Sequence, residues 1–444
     1  MANLWDEKNK KGATVYTTFN EPITVIGIIG DGGQGTVYRV KYNGEEKALK
    51  WLWSMKNKDR IKNPTAFRRN LAMNVVKGAP SSAFLWPIAV TRKTKSGEFG
   101  YVMDLAPAGY KEMDKFLHPS LTGVHFDSYK ALIEAAMKIV SAFRILHNLG
   151  YCYQDMNGGN FFIDPIKGDV CVADNDNVSP NGSSLGVVLG TPGYMAPEIV
   201  LGKGMPNTAS DRYSLAVVLF SLMFRAHPLE GQRCDDVKDI ETTDIEVKNR
   251  RLYGSEALFV MDPNDKSNAP KRSVHPTLVQ VWSEVPEYFK KIFIDAFSQE
   301  ALKNPARRPT EKDWLKVLTK MRSEIVRCDC GNEIFVKNSS VAHCNNCGKN
   351  IPIKYQLVLP NCTIAAVKGA RVYRSQLTTC NYDKALDMVA GINKEMKLKN
   401  VSNSAWTMTL PNGNTEKILP GTAIALMHGV TIKIDDAVIQ IKEN

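Results

Sequence analysis

The stretch Tyr153-Gln-Asp-Met-Asn-Gly-Gly-Asn160 decides how this chain is interpreted. It places Asp155 and Asn160 five residues apart in a short polar loop, and Asp174 follows after a strand-like segment. An Asp can accept the proton of a hydroxyl group, while an Asn and a second Asp can hold magnesium. Together, such side chains are the minimum set for moving a phosphoryl group from ATP. The loop therefore predicts phosphoryl-transfer chemistry, with Asp155 as the base.

The segments on either side of this loop extend the pattern. Apolar residues recur at helical spacing from Leu132 to Leu146, and Gly150 follows as a stop signal, so a helix is predicted directly before the loop. After the loop come Asp174-Asn-Asp176 and Gly190-Thr-Pro-Gly-Tyr-Met-Ala-Pro-Glu198. In order and spacing, these motifs resemble those of the eukaryotic-like (Hanks-type) serine/threonine protein kinases. The last motif favours a protein substrate, because small-molecule phosphotransferases of related fold lack it.

The resemblance covers about residues 22–322 and implies a bilobal protein-kinase fold of the α+β class. It implies an amino-terminal lobe over about 22–103 and a carboxy-terminal lobe over about 104–322, with residues 1–21 as an extension. Proteins of this kind transfer the γ-phosphate of ATP to a Ser or Thr hydroxyl with magnesium or manganese. Most of the rate comes from positioning and charge stabilisation.

The amino-terminal lobe is predicted to contain three strands around a glycine-rich turn. Val25–Gly30, Thr36–Tyr42 and Glu46–Leu52 carry the strand pattern. Glycines between the first two strands let backbone amides approach phosphate without a Cβ clash. In a Rossmann unit a helix would follow these glycines, whereas here a strand follows. The hairpin therefore favours the nucleotide lid of a kinase.

The resemblance also implies the nucleotide contacts. Lys50 would hold the α- and β-phosphates and Val37 would cover the base, while Met103 lies behind the base or only fills the core. The expected nucleotide-binding residues are Gly30, Gly32, Gly33, Gly35, Val37, Ala48, Lys50, Met103, Asp104 and Ala106. Active members pair this Lys with a Glu on the next helix, where this chain has Asn70. Lys50 is therefore expected to contact the phosphates, Asn70 or Asp174.

The resemblance assigns a catalytic set that consists of Asp155, Lys50, Asn160, Asp174 and Thr191. Asn160 and Asp174 are the expected magnesium ligands. Thr191 is expected to contact Asp155.

Several neighbouring residues depart from the family pattern. Tyr153-Gln154 replaces His-Arg, so switching by phosphorylation of the following segment is not expected. Asn157 replaces a Lys that steadies the transferring phosphate, and Asn175 replaces a Phe. Asp176, which replaces a Gly, is a candidate for an additional metal ligand.

Two structural contacts also follow from the resemblance. Asp211 is expected to brace the backbone of the catalytic loop, and Arg308 is expected to pair with Glu198. Removing one partner of a buried ion pair leaves an uncompensated charge, so Arg308→Ala is expected to unfold this lobe. Thermal melting of the variant checks this.

Four cysteines follow the kinase-like region in two pairs, Cys328-Asp-Cys330 and Cys344-Asn-Asn-Cys347, each followed by Gly. Paired thiolates on tight turns suit tetrahedral zinc, and four Cys ligands leave no open coordination position. A structural zinc ribbon is therefore predicted over residues 326–350. The alternatives are a site in which His343 substitutes for one Cys, and redox-sensitive thiols.

Residues 351–444 are predicted to form a β-sandwich-like domain. Thr431–Asp435 and Val438–Lys442 alternate clearly, and Pro411-Asn-Gly413 supplies a turn. The domain resembles a forkhead-associated-like sandwich, which would bind phosphopeptides. No Arg/Ser pair suited to phosphate is recognisable in the sequence, so a generic docking domain is the preferred prediction.

The composition limits the class of protein. A length of 444 residues suggests two or three domains. Hydrophobic residues at 43% and charged residues at 23% are typical of a globular protein. The amino terminus lacks an apolar signal core, and nine cysteines without a disulfide pattern fit a reducing compartment. A cytoplasmic protein is therefore expected.

The net charge of +11 is concentrated in part between Lys47 and Arg69. A solvated face is the simplest interpretation of this run. The alternatives are a docking surface for an acidic protein and a surface for nucleic acid.

Two other functions stay open at this point. A pseudokinase scaffold is favoured by Asn70, Asn157 and Asn175 at positions where active kinases carry other residues. A small-molecule phosphotransferase is favoured by the triplet Asp174-Asn-Asp176. The departures also resemble a bacterial branch of the family, which implies two partners: a metal-dependent protein phosphatase and a von Willebrand A-type domain protein.

Overall fold

A computed structural model of the chain describes residues 12–31, 35–52, 63–95, 97–183, 189–234, 244–378 and 380–444. The chain divides into two compact units. The first comprises the residues up to Asp114, Leu146–Ile163 and Val170–Ser214. The second comprises Lys115–Ile145, Asp164–Asp169 and Leu215–Asn444.

The first unit contains a six-stranded antiparallel sheet. Its strands, which lie in the order β1-β2-β3-β4-β6-β5, are β1 (Thr14–Tyr16), β2 (Pro22–Asp31), β3 (Gly35–Tyr42), β4 (Glu45–Leu52), β5 (Ala89–Val90) and β6 (Phe99–Met103). In β3, Tyr38, Val40 and Tyr42 are buried, whereas Arg39 and Lys41 are exposed. This alternation follows from the two-residue period of a strand. The three strands predicted in this region are β2, β3 and β4.

Shorter strands frame the loop that contains Asp155 and Asn160. They are β7 (Lys111–Glu112), β8 (Tyr151–Cys152), β9 (Phe161–Ile163), β10 (Val170–Val172) and β11 (Ser179–Pro180). β9 pairs with both β7 and β10, and β8 pairs with β11. The loop between β8 and β9 is therefore anchored to paired strands at both ends.

The helices of the described residues are α1 (Pro64–Lys77), α2 (Met113–Leu117), α3 (Pro119–Thr122), α4 (Tyr129–Asn148), α5 (Pro197–Val200), α6 (Thr208–Phe224), α7 (Ile245–Arg250), α8 (Pro276–Glu284), α9 (Glu287–Ala296), α10 (Gln299–Lys303), α11 (Glu311–Ser323) and α12 (Arg374–Leu377). Single turns of 3-10 helix occupy Gly158–Asn160, Asn175–Asn177, Pro305–Arg307 and Tyr382–Lys384, and a π-helical turn occupies Arg251–Ser255. The helix predicted before the loop is α4. Gly150 beyond its end has a φ of 81°, a conformation that favours glycine.

Aromatic packing holds the helices of the second unit. Phe220 and Phe224, one turn apart on α6, lie 5.4 and 5.5 Å from the Phe293 ring of α9. The Trp314 ring of α11 lies 4.8 Å from the same Phe293 ring. Ring pairs at these separations add to the free energy gained by burying apolar area.

Two small hairpins follow α11. They are built from β12 (Ile325–Arg327) with β13 (Glu333–Phe335), and from β14 (Val341–His343) with β15 (Asn350–Pro352). Each hairpin carries one of the two cysteine pairs between its strands.

The carboxy-terminal residues form two sheets around one apolar core, as the β-rich prediction expects. One sheet has the order β17-β16-β25-β24-β21-β22 and the other has the order β18-β19-β20-β23. The strands are β16 (Tyr355–Val358), β17 (Thr363–Ala365), β18 (Arg371–Tyr373), β19 (Met388–Ile392), β20 (Lys397–Asn400), β21 (Trp406–Thr409), β22 (Thr415–Ile418), β23 (Ala423–Ala425), β24 (Thr431–Ile434) and β25 (Ala437–Glu443). Leu357, Val389, Trp406 and Ile439 are buried in the core that both sheets share.

Among the described helices, none combines the length and the apolar composition that a membrane crossing requires. Most of the basic run is not covered by the structure, because Lys56, Lys58, Arg60 and Lys62 lie outside the described residues.

Candidate active site

β2 and β3 form the hairpin that is expected to cover the phosphates of a nucleotide. Gly30 lies near the end of β2, where a Cβ atom would meet nothing within 4 Å. Gly35 approaches β4 so closely that a Cβ atom would lie 2.2 Å from the carbonyl oxygen of Trp51. Glycine at this position is therefore required by strand packing, a reason that the sequence did not reveal. Gly32 and Gly33 lie outside the described residues.

Three of the residues expected around the adenine base, Ala48, Met103 and Val37, lie in one apolar cluster. Ala48 of β4 is paired with Met103 of β6, and both are buried. Val37 of β3 packs against the same cluster. Asp104 follows at the exposed end of β6, and Ala106 packs against a small neighbouring cluster.

Lys50 lies against two carboxylates of the acidic triplet. Its Nζ contacts Asp174 Oδ1 and lies 2.9 Å from Asp176 Oδ2. Burial disfavours the ammonium ion, but the two carboxylates outweigh this effect and raise the pKa of Lys50. Burial raises the pKa of Asp176 to about 6. From the sequence, Asn70 or Asp174 is expected as a protein partner of Lys50. The structure contains the contact with Asp174. The side-chain amide of Asn70 donates to the carbonyl oxygen of Val178.

Asp211 braces the backbone before the proposed base, as expected. Its carboxylate accepts hydrogen bonds from the Tyr153 amide at 2.6 Å and from the Gln154 amide at 3.0 Å. The His147 ring lies 3.0 Å from the same carboxylate. Gln154 has a φ of 75°, and these contacts hold it in that left-handed conformation.

Asp155 is buried and accepts hydrogen bonds from two neighbouring side chains. Thr191 Oγ1 donates to Asp155 Oδ1 over 2.7 Å, which is the contact expected from the sequence. The Asn160 side-chain amide donates to the Asp155 carbonyl oxygen over 2.8 Å. Burial raises the pKa of Asp155, and the hydrogen bond from Thr191 opposes that shift. A carboxylate fixed in this way is suited to accept a proton from a hydroxyl group.

The oxygen atoms of Asn160 and Asp174 are suitable for a divalent cation. Magnesium prefers carboxylate and amide oxygens. The amide nitrogen of Asn160 is already committed to Asp155, so its oxygen is the atom left for a metal. The Ala173 amide donates to the Asn160 carbonyl oxygen over 2.8 Å, which brings the residue before Asp174 beside Asn160. The Asp174 side chain is 25% exposed and therefore accessible to a ligand.

Asn157 and the glycines after it shape the rest of the loop. Asn157 Oδ1 accepts from the Gly159 amide at 3.0 Å, and Asn157 Nδ2 donates to Thr191 Oγ1 over 3.4 Å. A Cβ atom on Gly158 would lie 1.8 Å from Asp114 Oδ1. Asp114 was not among the predicted site residues; the Gly158-Gly159 pair is the sequence signal from which a close approach to the loop could have been inferred.

The two cysteine pairs meet in one cluster, as the zinc-ribbon prediction requires. The Sγ atoms of Cys328 and Cys347 are 3.6 Å apart, and those of Cys330 and Cys344 are 3.7 Å apart. A disulfide needs about 2.05 Å, whereas thiolates about 2.3 Å from one tetrahedral zinc are about 3.8 Å from each other. The backbone N–H of Asn332 donates to the Cys330 thiolate and lowers the pKa of Cys330 to about 6. The donor set and its spacing fit zinc.

Two other predicted residues can be located. His343, the alternative zinc ligand, is exposed, and its Nδ1 lies 2.8 Å from Asn350 Oδ1. Arg308 is buried, and its Nε donates to the Ala301 carbonyl oxygen over 3.2 Å. The pairing of Arg308 with Glu198 stays a prediction.

One end of the carboxy-terminal sandwich contains a cavity of about 950 Å³. Arg374, Lys384, Ser402 and Ser404 are among its mostly polar lining residues. Arg374 Nη1 donates to Asp435 Oδ2 at the same cavity over 3.1 Å. Arg374 begins α12, whereas Ser402 and Ser404 lie in the loop between β20 and β21, so the sequence alone did not indicate that they line one cavity.

Comparisons with known proteins identify the larger part of the chain. The model of the family described as "Protein kinase domain" matches residues 23–317. G protein-coupled receptor kinase 2 of Caenorhabditis elegans is 28% identical over 249 residues, which cover 53% of this chain and 33% of that protein. Protein kinase YegI of Escherichia coli is 23% identical over 334 residues, which cover 71% of this chain and 47% of that protein. Serine/threonine-protein kinase mos of Patiria pectinifera is 25% identical over 242 residues, which cover 51% of this chain and 63% of that protein.

The matched regions thus span from a third to just under two thirds of these relatives. The similarity lies in the protein kinase domain. The activities of the full-length relatives are properties of those proteins.

Proposed function

The chain belongs to the protein kinase family, and from this premise we propose that it is an ATP-dependent kinase that phosphorylates Ser or Thr of a protein. The observation that carries the proposal is the environment of Asp155, which is buried and receives a hydrogen bond from Thr191 at 2.7 Å. The contact between Lys50 and Asp174 supports it. The motif that ends at Glu198 favours a protein as the acceptor.

Each proposed catalytic residue has one task. Lys50 and the amides of the glycine turn bind the phosphates, and Asn160 with Asp174 would hold magnesium. When bound, ATP would supply the phosphoryl group, and magnesium would neutralise the charge that develops on it. Asp155 accepts the proton of the substrate hydroxyl. Thr191 keeps the Asp155 carboxylate oriented, so most of the rate arises from positioning.

The test is incubation of the purified protein with magnesium and γ-labelled ATP beside the Asp155→Ala and Asp174→Ala variants. Label on Ser or Thr of the wild type only is the expected result. Equal labelling of either variant would refute the assignment of that residue.

Two alternatives give different results in this assay. A pseudokinase, which Asn157 in place of Lys favours, binds nucleotide but transfers no label. A small-molecule phosphotransferase, which the Asp-Asn-Asp triplet favours, leaves the protein unlabelled and transfers label only when a low-molecular-weight acceptor is added.

We also propose a structural zinc ion bound by Cys328, Cys330, Cys344 and Cys347, and a docking role for the sandwich of residues 351–444. The cavity whose lining includes Arg374, Ser402 and Ser404 favours a phosphorylated peptide as the docked ligand, since Arg and hydroxyl groups bind phosphate. A fluorescent phosphothreonine peptide should bind the full chain, and both its unphosphorylated form and the Arg374→Ala variant should lose binding. Equal affinity of the two peptides would leave a generic docking role.

A metal-dependent phosphatase and a von Willebrand A-type domain protein are proposed partners, on the resemblance to a bacterial branch alone. A cytoplasmic location is proposed because the free thiols suit a reducing compartment.

The domain boundaries are proposed as 22–322 for the kinase, 326–350 for the ribbon and 351–444 for the sandwich. Nucleic-acid binding by the basic face would be recognised by an affinity that falls steeply with salt.

A further inference from the structure

Lys50 needs a permanent partner, because it is almost removed from water. Its side chain is 7% exposed, and that of Asp176, 2.9 Å away, is 0% exposed. An unpaired ammonium ion at such a position is strongly destabilising. The partner must also remain in place when nucleotide and metal bind.

Asp174 does not meet this requirement. In the proposed function it binds magnesium, and its side chain is 25% exposed toward such a ligand. A carboxylate that coordinates a divalent cation has less charge available for a neighbouring ammonium ion. Asp176 is closed to solvent, and one of its oxygens is already directed at Lys50.

Helix α1 does not supply the partner either. Its sequence, Pro64–Lys77, contains neither Asp nor Glu. Asn70 and Asn74, one turn apart on one face of α1, both donate to the Val178 carbonyl oxygen, over 2.8 and 2.9 Å. Both side chains are buried. The helix is therefore fixed to the segment just after the acidic triplet by neutral hydrogen bonds.

The turn that carries Asp176 is fixed as well. Asn175 is fully buried, and its amide donates to the carbonyl oxygens of Leu85 and Val172 over 2.9 Å each. A Phe at this position, as in the family, could not form these bonds. Asn175 thus holds the turn in which Asp176 faces Lys50.

We propose that Asp176 is the positioning residue for Lys50 and replaces, from within the metal-binding triplet, the Glu that other kinases carry on the helix. The inference rests on the proposed kinase function. Because the carboxylate belongs to the same turn as Asp174, assembly of the nucleotide site does not require a movement of α1. Asp176 then is not the additional metal ligand that its sequence position suggested.

A double-mutant cycle tests this role. Fluorescent ADP with magnesium is titrated into the wild type, Lys50→Met, Asp176→Asn and the double variant of the full chain. Asp169→Asn, at a partly exposed ion pair with Lys138 outside the site, is the control for an equal change of charge. A residue that acts only through Lys50 shows no additional effect once Lys50 is gone.

Each single variant is expected to weaken ADP binding by about tenfold or more, the effect of losing a charged hydrogen bond. The double variant should bind within about twofold of Lys50→Met, and Asp176→Asn should need no more magnesium than the wild type. The inference would be overturned if the double variant bound ADP about a hundredfold more weakly than the wild type, the product of the two single effects. It would also be overturned if Asp176→Asn needed more magnesium than the wild type. Either result would leave the kinase function intact. Failure of the wild type to bind nucleotide would overturn both.

The same cycle can be measured as stability if Asp176→Asn melts at a much lower temperature. Adding Lys50→Met should then restore the melting temperature, because it removes the unpaired buried ammonium ion. No recovery in the double variant would show that Asp176 does not act through Lys50.

Discussion

At the position before the proposed base, Gln154 stands where most protein kinases have Arg. Its side-chain amide donates to Ser179 Oγ. A neutral amide cannot pair with a phosphate as a guanidinium group does. Ser179 is 1% exposed, so this hydroxyl group is closed to modification in the described conformation. The contact is a fixed neutral bond at a place where other kinases respond to phosphorylation.

We therefore predict activity that does not depend on phosphorylation between Ser179 and Glu198. Treatment of the protein with a phosphatase, followed by removal of the phosphatase, should change the initial rate by less than about twofold. Mass spectrometry before and after treatment checks the phosphate content, including Ser183 and also Ser184, which lies outside the described residues. A tenfold loss of rate would mean that another cation binds the phosphate.

Asp155→Asn is predicted to remove catalysis and leave the fold intact. Asn can still accept the hydrogen bond from Thr191, but it cannot take a proton from the substrate. The turnover rate should fall by about 10²- to 10⁴-fold, with an unchanged melting temperature and unchanged ADP affinity. Asp127→Asn, an exposed acid outside the site, should behave as the wild type. A rate within a few-fold of the wild type for Asp155→Asn would remove Asp155 from the mechanism.

At the scale of secondary-structure elements, the first ribbon hairpin is joined to the start of α4. The Phe335 ring of β13 lies edge-on to the Tyr129 ring at 4.8 Å. Glu333 of the same strand accepts a hydrogen bond from the Lys130 amide at 3.3 Å. The first ribbon hairpin thus packs against the beginning of α4 and satisfies a backbone amide there.

One zinc ion per chain is the prediction for the ribbon. Cys344→Ser should lower the zinc content from about one ion per chain to near zero, as measured by elemental analysis. It should also lower the melting temperature, because a structural zinc contributes folding free energy directly. Cys362→Ser, a free cysteine outside the cluster, is the matched control and should retain the metal. A wild type that is purified without zinc and gains no stability from added zinc would contradict the assignment.

At the scale of the whole molecule, a partly buried ionic cluster joins the helices of the second unit to the sandwich. Glu134 of α4 lies 2.7 Å from Arg322 of α11 and 2.5 Å from Arg371 of β18. The Tyr373 hydroxyl donates to the same carboxylate over 3.4 Å. Burial and the nearby Glu134 raise the pKa of Tyr373 to about 12. The β-rich tail is therefore an integral part of the second unit.

Glu134→Ala is predicted to destabilise the second unit by about 3–5 kcal/mol, the usual cost of leaving a buried charge without its partner. Arg322, with 6% side-chain exposure, would be that charge. Chemical denaturation followed by fluorescence measures the change. Glu287→Ala removes an exposed ion pair with Lys290, and its free energy of unfolding should change by less than about 1 kcal/mol. Equal effects of the two substitutions would show that the cluster does not hold the unit together.

The sequence by itself was sufficient for the family, for the strands around the glycine turn and for α4. It also paired Thr191 with Asp155 and grouped the four cysteines. These features depend on local pattern: the periods of helices and strands, the residues that turns require, and motifs whose spacing is set by the chain between them.

Only the tertiary structure decided which side chains meet from distant parts of the chain. The sequence left Lys50 with the phosphates, Asn70 or Asp174, and the fold added Asp176. It also joined Glu134 to Arg371 and placed Arg374 and Ser402 in the lining of one cavity. These contacts depend on how paired strands and packed helices bring separate segments together, and a buried charge takes the partner that packing places within reach. No local pattern in the sequence contains that information.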